Sequence, residues 1–143
     1  ISGWPPANVN KAEINGVEIR LNTKLAGWET QAEISLLDPR DKDTDKILAR
    51  RSQQSLRLDM DKTFGTWSTG LSFIGQGYRF DDTPNTTRLS GYGIVNLRAS
   101  YAVSEKMTIK WKIENLFDKE YETAKNYNNT GISGFISVHY QGF

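Results

Sequence analysis

From Met107 to Asn115 the side chains alternate without a fault: Met107, Ile109, Trp111 and Ile113 share one face, and Thr108, Lys110, Lys112 and Glu114 share the other. A period of two marks a strand with unlike faces, because successive Cβ atoms leave a pleated backbone on opposite sides. The chain repeats this pattern. Trp28 to Leu37 sets Trp28, Thr30, Ala32, Ile34 and Leu36 against Glu29, Gln31, Glu33 and Ser35. Gln53 to Asp61 sets Leu56, Leu58 and Met60 against Arg57 and Asp59, and Thr66 to Gly77 aligns Trp67, Thr69, Leu71 and Phe73. Ile94 to Tyr101 sets Val95, Leu97, Ala99 and Tyr101 against Asn96, Arg98 and Ser100, and Ile132 to Phe143 groups Ile136, Val138 and Tyr140. Near the start, Ala12 and Ile14 keep one phase while Val17, Ile19, Leu21 and Leu25 keep the other, which predicts one long strand with a bulge at Asn15-Gly16. The pattern therefore predicts an all-β antiparallel meander of about seven strands. No strand–helix alternation supports a doubly wound sheet.

The connections alternate in length. Ala26-Gly27, Lys62 to Gly65 and Ala102 to Lys106 are short, whereas Asp38 to Ala49, Phe80 to Tyr92 and Leu116 to Asn129 are long and polar. Short turns on one rim and long loops on the other are typical of an outer-membrane barrel. A mean hydropathy of -0.58 and the lack of any apolar run near 18 residues exclude a membrane helix. They do not exclude transmembrane strands, whose alternation averages away. Trp28, Trp67, Tyr92, Tyr101 and Trp111 are expected on the apolar faces, several near strand ends, where a girdle at the lipid–water boundary places amphipathic rings. A soluble sandwich with these aromatics in its core is the alternative. The near balance of 18 Lys+Arg against 17 Asp+Glu argues against a dedicated nucleic-acid binder. The chain opens without a basic region followed by an apolar stretch, so no signal peptide is expected in it. Zero cysteines leave no disulfide framework and no thiolate metal site.

Several stretches resemble the C-terminal part of the barrel of TonB-dependent outer-membrane transporters, with the closest likeness to the cobalamin receptors. "IENLFDKEYE" at 113–122 is similar to the Asn-Leu-Phe-Asp-Lys-x-Tyr signature of the penultimate barrel strand and its loop. "LLDPRDKDTDKILARRSQQSLRL" at 36–58 looks like the segment those receptors carry across a long extracellular loop. "INGVEIRLN" at 14–22 and "GYGIVNLRASY" at 91–101 resemble two further barrel strands. The resemblance implies that residues 1–143 are a C-terminal fragment of a 22-stranded, plugged transmembrane barrel, with the plug and earlier strands upstream. It implies the bacterial outer membrane as location, cobalamin as the transported ligand, membrane lipid as a neighbour, and contact with TonB through the upstream regions. A siderophore or another large nutrient in place of cobalamin, or a complete small β-barrel or sandwich, are the alternatives. The family finishes on Phe with alternating apolar residues before it; here Phe143 is three residues from Tyr140, out of phase with Ile136, Val138 and Tyr140.

No catalytic constellation is expected, and neither an enzyme nor a cofactor is implied. His139, the single histidine, lacks partners for a triad or a zinc site and is expected near the lumen or rim. Asp41-Lys42-Asp43-Thr44-Asp45 opens like a calcium loop, yet Lys46 stands at the turn-glycine position and Ser52 at the bidentate-Glu position, so it reads as a solvated loop and no metal site is assigned. Arg50 and Arg51 follow that loop. Adjacent arginines at a strand start commonly pair with rim carboxylates. The resemblance also matches Arg50 to a receptor arginine that reaches toward bound cobalamin, which suits a guanidinium with several donors and a fixed charge. Asn85-Thr86-Thr87 and Asn128-Asn129-Thr130 match the glycosylation acceptor pattern, accidentally so in a bacterial outer membrane.

Overall fold

A computed structural model describes residues 11–142; Phe143, the expected terminal aromatic, lies outside them. Seven long strands form one antiparallel sheet: β1 (Ala12–Leu25), β2 (Trp28–Asp41), β3 (Gln54–Phe64), β4 (Trp67–Gln76), β7 (Tyr92–Ser104), β8 (Met107–Glu114) and β11 (Ser133–Tyr140). Each pairs with the next in the order β1-β2-β3-β4-β7-β8-β11, a simple meander. Four short strands, β5 (Arg79–Phe80), β6 (Arg88–Leu89), β9 (Glu122–Ala124) and β10 (Tyr127–Asn128), make two small ribbons in the long connections. The long loops are thus partly built, not structureless.

Register carries the sequence parity across the whole sheet. Ile19 faces Ile34, Ile34 faces Leu56, Leu58 faces Phe73, Phe73 faces Val95, Leu97 faces Ile113 and Trp111 faces Ile136, so one apolar face runs unbroken from β1 to β11. No second layer covers it: among the described residues the only buried hydrophobic side chain besides Pro39 is Leu89, while Val17, Ile19, Leu21, Ile136 and Val138 are all more than half exposed. A sandwich would bury this face, so the soluble-core alternative fails. On β1 and β2 the apolar band runs from Leu25–Trp28 to Val17–Leu36 and gives way to Asn15–Asp38 and Glu13–Arg40. Those nine positions span roughly 27 Å along a strand at ~3.4 Å per residue, or roughly 20 Å of height at a barrel's usual tilt, close to the ~25 Å apolar band of outer-membrane barrels.

Three expectations need correction. β1 and β2 pair in continuous register from Ala12–Asp41 to Leu25–Trp28, with no bulge at Asn15-Gly16. Ile14 simply lies on the polar-face parity beyond the apolar band. Gly16 is required by close approach, since a Cβ there would lie 2.4 Å from the Leu36 carbonyl oxygen and 2.5 Å from Leu37 Cδ2. Second, β2 continues through Asp38, Pro39 and Arg40 to Asp41, and Arg40 bridges to Ile47, so the connection expected from Asp38 begins later. Third, Tyr92 pairs with Gln76 and shares its face with Asn96 and Arg98, so it belongs to the polar face and not to the apolar girdle.

The polar face carries cross-strand charge pairs. Arg20 meets Glu33 at 3.0 Å and Lys24 meets Glu29 at 3.4 Å across β1 and β2, and Arg98 of β7 reaches both Asp61 and, at 3.7 Å, Asp59 of β3; within β3 itself Arg57 meets Asp59 at 2.6 Å. Asp61, Gly70 and Arg98 are in register across β3, β4 and β7. The missing side chain at Gly70 leaves the slot through which Arg98 crosses to Asp61: a Cβ there would lie 2.5 Å from Arg98 Nε.

Candidate functional site

Two arms rise over the long-loop rim, and their backbones fold for identifiable local reasons. In the first, Asn85 adopts a left-handed φ of 60°, which Asn tolerates better than most residues. Its side chain then caps Ile47 of the preceding connection from both sides, accepting from the Ile47 N–H at 2.9 Å and donating to the Ile47 carbonyl at 2.8 Å. Asp82 closes the turn by accepting the backbone N–H groups of Thr86 at 3.0 Å and Thr87 at 2.9 Å, together with the Thr86 hydroxyl. The Thr86 hydroxyl contributes most to holding the Asp82 carboxyl below its ordinary range; burial opposes it, and the backbone donors assist. Two connections, 42–53 and 77–91, are therefore locked together at the rim.

Arg50 sits inside that lock. Its φ is 60°, an uncommon conformation for a long side chain, and its N–H donates to the Phe80 carbonyl at 2.6 Å. Nε donates to Asp81 Oδ1 at 3.0 Å, with the Arg50 side chain 58% exposed and that of Asp81 only 10%. This is the rim pairing that adjacent arginines suggest. It also anchors the guanidinium through one of its five donors and leaves the two terminal amino groups for an outside acceptor. Arg51 is exposed, and its N–H donates to the Leu48 carbonyl at 3.3 Å.

The second arm grows from Asn115. That residue is 3% exposed with a φ of 51°; its Nδ2 donates to the Lys119 carbonyl at 2.9 Å, and its Oδ1 accepts the Lys119 N–H at 2.9 Å. Asp118, also left-handed at 50°, accepts the Ile132 N–H at 2.8 Å. The Asn-Leu-Phe-Asp stretch is thus a stapled turn that launches β9 and receives the chain back before β11. Phe117 points outward, 74% exposed. Between the arms the Tyr92 and Tyr121 rings lie 4.1 Å apart, and the Arg79 guanidinium lies 5.3 Å from the Tyr92 ring centre. Burial chiefly pushes the Tyr121 phenol upward, with Tyr92 and Glu114 adding to it. A cleft of about 430 Å³ opens beside these rings, lined by Arg88, Gly91, Lys119, Glu120, Tyr121 and Lys125. Arg50 does not line it, so the arginine read from the sequence and this cleft are separate features of one rim.

The other sequence candidates are placed plainly. His139 pairs in register with Thr108 on the polar face near the short-turn rim. Asp41 to Lys46 form a tight turn in which the Asp41 N–H donates to the Lys46 carbonyl and the Asp45 N–H to that of Asp41; Lys42 meets Glu13 at 2.8 Å. No group of three potential metal-ligating residues occurs among the described residues. Sequence reasoning missed Asp81 and Asn85. Asn85 was visible only as an accidental acceptor motif, whereas its real signal is an Asn in a polar, turn-rich stretch that needs a left-handed residue.

Residues 1–116 match the family described as "TonB dependent receptor-like, beta-barrel". The chain is 33% identical over 138 residues to the vitamin B12 transporter BtuB of Photobacterium profundum, covering 96% of this chain and 23% of that protein. It therefore spans about a quarter of the length of that curated relative. Among solved structures, the siderophore receptor PiuA from Acinetobacter baumannii superposes with a TM-score of 0.78 at 20% identity, over 90% of this chain and 22% of that one. The copper transporter OprC superposes at 0.75 with 20% identity, over 90% and 24%. Both similarities establish the barrel-wall fold.

Proposed function

Since this chain belongs to the TonB-dependent receptor-like β-barrel family, a family of the Gram-negative outer membrane, we propose that it is the C-terminal wall of a receptor that binds and imports cobalamin. The supporting observation is the identity of 33% to a protein named as a vitamin B12 transporter, sustained over 96% of the chain, rim segments included. In this reading the apolar face meets lipid, the polar face with its Arg–Asp pairs lines the lumen around a plug, and the two arms stand outside the cell. The chain holds and guides the ligand and performs no covalent chemistry. Energy reaches the receptor from TonB through the upstream regions.

Arg50 is the residue proposed to meet the ligand. A guanidinium anchored by Asp81 at Nε presents its terminal donors at a fixed angle, which suits the amide and phosphate oxygens of a large polar ligand. The test is equilibrium binding of cyanocobalamin by the full-length receptor and by Arg50→Ala. Losing a charged hydrogen bond costs about 1.5–3 kcal/mol, so affinity is expected to fall roughly tenfold or more. Unchanged affinity would remove Arg50 from the site. A wild-type receptor that ignores cyanocobalamin but binds a ferric siderophore would shift the ligand to the class named for PiuA, the siderophore receptor of the same fold.

A further inference from the structure

Lys62 is the one charged side chain on the apolar-face parity between the level of Leu36–Gln54 and the short-turn rim, among the described strands. Its register partner Thr69 lies between Leu71 and Trp67, which themselves face Met60 and Phe64, so its placement on the lipid side follows from the ladder and not from side-chain choice. The charge has a built surrounding. Nζ lies 5.1 Å from the Phe64 ring centre and 5.8 Å from that of Trp28, and it donates to the Ala26 carbonyl at 3.3 Å. The two rings meet edge-to-face at 6.4 Å. Gly27, at a φ of 80°, keeps the approach open, since a Cβ there would lie 3.2 Å from Nζ. Trp67 extends the aromatic surface to Tyr101 at 4.7 Å and Trp111 at 5.9 Å.

All these contacts are neutral. No ion pair among the described residues includes Lys62, whereas Lys24 of the same rim, on the polar face, is paired with Glu29 at 3.4 Å. An ammonium has three donors, and one is used on Ala26. A lysine facing lipid is costly at the bilayer midplane and tolerated near the interface, where its stem covers apolar surface and its head reaches the headgroups. The level of the Ala26-Gly27 turn is that interface on the short-turn, periplasmic side. We propose that Lys62, with Trp28 and Phe64, forms a binding site for the phosphate of a phospholipid in the periplasmic leaflet, whose acyl chains lie along Met60 and Leu71. The proposal rests on the outer-membrane placement of the apolar face. The phosphate supplies the missing negative charge, and the rings occupy the depth where amphipathic aromatics anchor barrels.

The experiment is native mass spectrometry of the full-length receptor with phosphatidylglycerol titrated into the detergent. One lysine near an anionic lipid surface is worth about fivefold in affinity. Lys62→Gln is therefore expected to weaken retention of one lipid by about that factor. Lys62→Arg should keep it, and Lys24→Gln should match the wild type. An uncharged diacylglycerol should be retained equally by the wild type and Lys62→Gln. Equal phosphatidylglycerol retention by the wild type and Lys62→Gln overturns the site, as does an equal loss in Lys24→Gln. A wild-type receptor that retains no lipid of either kind would instead overturn the membrane placement on which the site rests.

Discussion

Asn115 shows how much can hang on one small side chain. Its amide serves Lys119 as both donor and acceptor, and its backbone N–H donates to Asn96 Oδ1 at 2.9 Å, so a left-handed residue welds the end of β8 to the neighbouring strand and to the last loop. Only Gly, Asn and Asp enter that conformation cheaply, and of these only Asn both donates and accepts here. Asn115→Ala leaves the Lys119 carbonyl and N–H without their part-buried partner and adds backbone strain; a fully buried unsatisfied group costs about 1–3 kcal/mol, and these sit below that ceiling. The full-length receptor carrying it should unfold at a lower temperature in detergent, and Asn115→Asp should fall between it and the wild type. Equal melting of Asn115→Ala and the wild type would show that the staple is dispensable. The family likeness was legible in Asn115 to Asp118 from the letters alone, but the reason for the letters was not. It lies in two positive φ values that only coordinates reveal. Arg50 is similar: the sequence marked a rim arginine, while its buried partner Asp81 stands 31 positions away and is brought near only by the lock between loops.

Strands were legible wherever parity alone decides the outcome, as in β3, β4 and β8, because a one-residue slip would exchange the two faces. The misreadings fall where other forces set the backbone. Ile14, Pro39 and Tyr92 lie at or beyond the edge of the apolar band, where polarity no longer reports which face a residue occupies. Gly16 and Gly70 look alike in sequence and differ in what they touch. At Gly16 an added Cβ meets backbone, the Leu36 carbonyl oxygen at 2.4 Å, and relief requires opening the β1–β2 ladder. At Gly70 it meets the movable ends of Asp61 and Arg98, and relief requires only that this half-exposed ion pair let go. Exposed pairs are worth about 0.2–1 kcal/mol, whereas forced overpacking costs about 1–3 kcal/mol. Gly16→Ala should therefore lower the melting temperature of the full-length receptor more than Gly70→Ala does. The reverse order would mean that the ion pair across β4 matters more than the ladder at the outer end of β1.

The molecule as a whole is a sheet with nowhere to hide its apolar face or its margins. Among the described residues β1 and β11 are each paired on one side only, and the apolar residues of both are largely exposed. In a bilayer every strand edge must be satisfied, which a barrel achieves by closing on itself, and seven strands in one open order do not close. The two margins are complementary in kind: each offers a long antiparallel template with apolar side chains on the same face, an arrangement prone to pair with another copy. Nothing inside the sheet compensates, because the buried side chains are mostly polar, Thr30, Ser35, Ser72 and Asn115 among them. The isolated 143-residue chain in detergent-free buffer should accordingly sediment as oligomers or aggregates, bind a hydrophobic dye, and gain strand signal with concentration. Detergent should suppress the dye binding by covering the Val17-to-Leu25 and Ile136-to-Tyr140 surfaces, while edge pairing should persist until the neighbouring strands of the full barrel are supplied. A monodisperse monomer in buffer, with both edges open and no dye bound, would contradict the lipid-facing assignment at its root, since such a chain would have to bury that face by a fold other than this sheet.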